Sequence, residues 1–151
     1  MANSFTGDSR FKVLYRCESA ALGNDSIGGN HLTVTGAAAD TESYKEGSAS
    51  IAFDAGEFGS REDEDLGNDV PLKYGTSNKS LFVCFWIYPA RGDSSYYFSK
   101  YQATSGGRCF AIRADANNYV AALIGYNNGN SVDSASLKHG TALPAAGWYH
   151  I

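Results

Sequence analysis

The sequence predicts an all-β fold, an antiparallel two-sheet sandwich or jelly roll, on three observations. Apolar residues recur with a period of two in run after run. Those runs are separated by Gly and Asn steps of the kind that turn a hairpin. No long segment carries the 3.6-residue apolar period of a helix, and glycine is frequent at 17 residues.

In chain order, residues 11–17 (FKVLYRC) place Phe11, Val13, Tyr15 and Cys17 on one face of a strand. Residues 48–53 (SASIAF) do the same with Ala49, Ile51 and Phe53. Residues 80–89 (SLFVCFWIYP) are apolar at every second position on both faces, the pattern of a central strand covered on two sides, and Pro89 ends it. Four runs follow at short spacing: SYYFSKY, RCFAIRAD, YVAALIGY and SVDSASL. They predict an antiparallel meander from about Ser95 to Leu137. The Asn128-Gly129 step inside it suits a type I′ turn, which needs positive φ at both central residues. The last residues, GWYHI, start one more strand with Trp148, Tyr149 and Ile151 as β-formers.

With 151 residues, 43% hydrophobic and 19% charged, the chain is long and apolar enough for one domain with a real core. Residues 1–10 read as an N-terminal extension and 11–151 as the domain. The net charge of −4 and pI ≈ 5.2, with no Lys/Arg cluster, argue against nucleic acid as a partner. No apolar run approaches the ~20 residues of a membrane span, so no membrane role is expected. MANSFTGDSR has no apolar stretch of a signal peptide. Cys17, Cys84 and Cys109 lie in apolar strand-like contexts and suit buried free thiols, or one disulfide with a spare thiol.

Several stretches together carry a resemblance. VLYRCESAALGNDSIGGNHLTVTG, YKEGSASIAFD, KSLFVCFWIYP, FSKY and GWYHI occur in the order and spacing of laminin G-like, concanavalin A-like jelly-roll modules, across nearly the whole chain. The resemblance implies that fold, core positions for Trp86 and Trp148, and further strands after GWYHI. This chain lacks them, so it looks like a module truncated at its C-terminal strands, whose sheets a neighbouring chain would complete.

Candidate sites follow. In GNDSIGGN, residues 23–30, Asp25 offers a carboxylate and Asn24 and Asn30 offer amide oxygens, the oxygen donors a Ca²⁺ ion takes. Related modules hold calcium near this turn. The expected calcium ligands are Asp25 and Asn30, against an Asx-type turn without metal. Residues 57–69 hold six acidic side chains, Glu57, Glu62, Asp63, Glu64, Asp65 and Asp69, read as a solvated loop, against a second cation site that lacks the order of an EF-hand loop. That loop also fails the Glu-x-Asp-x-x-Glu pattern of laminarinase-type enzymes sharing the broader fold, since Glu62 is followed by Glu64 and Gly67 at the required positions. His31, His139 and His150 are scattered, with no nucleophile motif near them. No catalysis is expected.

Sugars pack their C–H faces on aromatic rings. The candidates near the turns of the meander are Tyr96, Tyr119 and Tyr126, with Asn127 and Asn128 as hydrogen-bond partners. Arg91-Gly92-Asp93 reads as a turn or an integrin-type tripeptide, and Asn24 and Asn78 head glycosylation sequons. The expected function is a non-catalytic, lectin-like module for a glycan or cell-surface polysaccharide, in an extracellular or virion-surface setting. The other reading is a structural decoration or fibre module of a phage or virus particle, with no required sugar.

Overall fold

A computed structural model describes residues 7–66, 81–89, 94–101, 108–127, 132–144 and 146–151. The chain forms two compact units, Met1–Pro71 and Leu72–Ile151. Strands dominate, and the only described helix is one turn long.

The first unit is made of short pieces. β1 (Thr33–Thr35) pairs antiparallel with β4 (Phe58–Ser60), and β2 (Ala38–Asp40) pairs antiparallel with β3 (Ser50–Ala52). Gly36 separates β1 from β2 at φ +80, a conformation that only glycine takes without cost. Asp40 ends β2 by accepting the N–H groups of Glu42 and Ser43 on Oδ1. The acidic stretch expected as a loop contains β4 and a single turn, α1 (Asp63–Leu66). Residues 11–17, expected as a strand, form only one bridge, Tyr15 to Asp25. The reason is local: the Leu14 N–H that would extend a ladder donates instead to the Asp25 side chain.

In the second unit the expected meander is present. β6 (Tyr96–Tyr101), β7 (Arg108–Ala114), β8 (Val120–Asn127) and β9 (Val132–Lys138) form one antiparallel sheet in that order. The β7–β8 turn is closed by Asn118 N–H to Asp115 C=O (2.8 Å) and Asp115 N–H to Tyr119 C=O (3.1 Å). Asn118 takes φ +60 there, the left-handed residue that follows a type I turn in a three-residue hairpin loop, and asparagine tolerates it. Asn128-Gly129 lies outside the described residues, between strands paired at Asn127 and Val132.

Residues 81–88 depart from expectation. Only β5 (Trp86–Ile87) is strand, and among described residues it pairs with β10 (Tyr149–His150) alone. Phe85 and Ile151 extend the pair by exchanging N–H and C=O bonds of 3.2 and 3.0 Å. Ile87 is buried, whereas Phe82 is 80% exposed. Trp86, expected in the core, is exposed and meets His150 edge-on at 5.0 Å. Trp148 is half-buried with its ring edge against Tyr88 at 5.5 Å. Apolarity on both faces marks a segment that prefers cover, but pairing on both sides also needs two partner strands. The core of this unit is Phe110, Ala111, Ala114, Ala121, Leu123 and Ile87, with Phe98 stacked between Phe85 and Phe110. Cys17 and Cys84 are free thiols, both half-buried, and burial pushes the Cys17 thiol up.

Candidate functional site

The hairpin end of the four-stranded sheet gathers the first candidate. Register fixes a cross-strand row of Tyr96, Arg113, Ala121 and Lys138, which therefore share one face. With strands spaced by about 4.8 Å, the row is roughly 14 Å long. Tyr96 at one end is 50% exposed. The Arg113 guanidinium carbon lies 5.9 Å from the centroid of the Tyr96 ring, a cation–π contact that steadies both side chains. Arg113 Nε is closed to water and has no hydrogen-bond acceptor among the described residues. Ala121 in the middle is small and buried, so the longer side chains on either side rise above it.

At the other end, Lys138 Nζ sits 4.1 Å over the Tyr119 ring and 2.6 Å from Asp115 Oδ2. Asp115 Oδ1 accepts the N–H groups of Asn117 and Tyr119. The Lys138 ammonium, then the Tyr119 N–H, hold the Asp115 carboxyl below the usual carboxylate range. One face of the Tyr119 ring is thus occupied by a lysine already paired with a carboxylate. Of the residues expected to bind sugar, Tyr96 presents an exposed ring, and Tyr119 presents one with a face covered. Tyr126 and Asn127 lie on β8, but their side chains, like all of Asn128, fall outside the described residues. Sequence reasoning missed Arg113, Lys138 and Asp115. The signal available was register: Arg113 falls opposite Tyr96 once the meander is aligned.

The two units also differ in charge. Met1–Pro71 contains 13 acidic and 5 basic residues, and Leu72–Ile151 contains 3 acidic and 7 basic, so the chain's −4 divides into −8 and +4.

The second candidate is the turn at Asp25. Its carboxylate is only 5% exposed as a residue, and it is built into the backbone around it. Oδ1 accepts from Leu14 N–H (2.9 Å) and Ile27 N–H (3.0 Å); Oδ2 accepts from Gly28 N–H (3.1 Å) and Asn30 N–H (3.2 Å). Burial pushes the carboxyl up, but these four donors outweigh it and hold the group below its ordinary value. The Asp25 N–H donates to His31 Nδ1 at 3.1 Å, and the Tyr15 hydroxyl donates to the Asn30 carbonyl at 2.6 Å. Burial first, then the Asp25 charge, pushes Tyr15 up to about 12. Asn30, also buried, donates from Nδ2 to the Lys12 carbonyl at 3.4 Å. Gly23 closes the turn where a Cβ would collide with the Leu32 carbonyl oxygen.

The structure therefore brings Asp25 and Asn30 together, as a calcium reading needs. It also spends all four lone-pair positions of the carboxylate on N–H donors. A cation there has to displace amide donors before it gains an oxygen. Among the described residues no group of three or more His, Cys, Asp or Glu side chains is placed to hold a metal. Asn24 is exposed beside this turn; Asn78 and Arg91-Gly92-Asp93 lie outside the described residues. No described helix is long and apolar enough to cross a membrane. No protein-family model, curated protein or solved structure matches the chain.

Proposed function

We propose that this chain is a non-catalytic carbohydrate-recognition module of laminin G-like, jelly-roll type, which binds its glycan at the hairpin end of the β6–β9 sheet. The observation that carries the reading is Tyr96, an exposed ring on the edge strand β6, steadied by Arg113. Tyr119 follows the same β7–β8 turn, whereas Tyr126 and Asn127 lie at the far end of β8, five and six residues beyond Ala121, and do not join Tyr96 in this reading. A ring fixed before the ligand arrives loses little entropy on binding, which favours recognition by stacking. The proposed setting is outside the cell or on a particle surface, where polysaccharide is met.

The test is a glycan array with the isolated protein, followed by titration of any hit against Tyr96→Ala. The expected result is binding that Tyr96→Ala weakens by about tenfold or more, since ring truncation removes the stacking surface. An array with no hit, or a hit indifferent to Tyr96, defeats the reading.

A second reading is favoured by a different observation. Leu137 is 78% and Ile124 54% exposed on the opposite face of the same sheet, more apolar surface than an isolated strand usually leaves bare. That suits a structural module of a larger assembly such as a virus or phage particle, with a neighbouring chain against this face. Native mass spectrometry separates the two: an obligate oligomer without a glycan hit supports assembly, and a monomer that binds sugar supports recognition.

A further inference from the structure

We draw no further inference here: the strongest candidate, the aromatic face of the β5–β10 ribbon, where Trp86 meets His150 and Tyr88 meets Trp148 edge-on with Trp86 and Tyr88 exposed, carries nothing because nothing in the structure shows what covers it.

Discussion

Among the described residues of Met1–Pro71 the buried side chains are a carboxylate and an amide, Asp25 and Asn30, with Ala49 as the buried apolar residue; among those of Leu72–Ile151 the buried set is Phe110, Ala111, Ala114, Ala121, Leu123, Ile87 and Pro89, with Asn118 as its polar member. The strands differ in the same sense. Those of the first unit are three residues long, while β6 to β9 run from six to eight. A three-residue strand buries too little apolar surface to hold its own register. The first unit compensates with a carboxylate that collects four backbone N–H groups from residues 14 to 30, so its order depends on one charge. The second unit spreads its stabilisation over a packed sheet. The comparison teaches that burial in one chain can be polar and pH-dependent in one place and apolar and pH-indifferent in another.

The largest expected effect lies in the sheet. Phe110 is buried and stacked on Phe98 at 5.6 Å. Phe110→Ala should cost about 4 kcal/mol, the scale for a core phenylalanine truncated to leave a cavity. Urea unfolding followed at the amides of β7 and β8 measures it. A cost below ~1 kcal/mol would show that this sheet is not held by its apolar core, and the comparison with the first unit would collapse.

Next comes Asp25→Ala. It leaves four N–H groups without their acceptor in a half-buried turn, and a loss of about 3 kcal/mol is expected from bonds to a charged group that are not additive. The effect should also have a pH signature that Phe110→Ala lacks. Because the folded Asp25 carboxyl is held below its ordinary value, its contribution is complete above about pH 4, the unfolded value. It fades as the pH falls through the folded value. Tyr15 adds the opposite limb: raised to about 12, it contributes below about pH 10 and ceases to as the pH climbs through 12. Melting curves between pH 2 and 7, followed at residues 14–31, should show the acid limb in the unaltered protein and lose it in Asp25→Ala. The same series run with calcium and with a chelator is expected to overlay, since the carboxylate has no lone pair left to give. A midpoint that rises with calcium would instead place an ion on Asp25 and Asn30 and dissolve the four-donor arrangement.

How far the sequence could be read follows the same division. The meander was legible because β6 to β9 repeat a two-residue period long enough to be unmistakable and are joined by Asp, Asn and Gly at the turns. The Asp25 segment was legible as a special turn, since Asp, Asn and three glycines fall within eight residues, but the partners of the carboxylate were not. A carboxylate offered to a cation and one offered to backbone N–H groups have the same sequence; only the fold around Leu14, Ile27, Gly28 and Asn30 tells them apart. Residues 81–88 misled because apolarity on both faces says nothing of how many strands are available to pair. Arg113 was not legible because one arginine in an alternating run carries no signal of its own, and its place opposite Tyr96 is set only by the register of β6 on β7.

The smallest expected effect tests the polar end of the apolar unit. Lys138 touches Asp115 and the Tyr119 ring, but both partners of the ion pair are well exposed, with 49% and 31% of their side-chain surface open to water. Water and salt screen such a pair, so Lys138→Met should leave the melting midpoint almost where it was. Asp115 is the better reporter. Its largest downward influence is the Lys138 ammonium, followed by the Tyr119 N–H. Removing the ammonium should let the carboxyl move back up toward its ordinary range, while the N–H groups of Tyr119 and Asn117 continue to hold it partly down. A carbon-detected NMR titration of the Asp115 carboxyl in both proteins reads this directly. The sheet amides around Phe110 should be unmoved, because Phe110 lies three paired positions along β7 from Arg113, the residue in line with Lys138. If the Asp115 titration is the same in both proteins, Lys138 is not paired in solution.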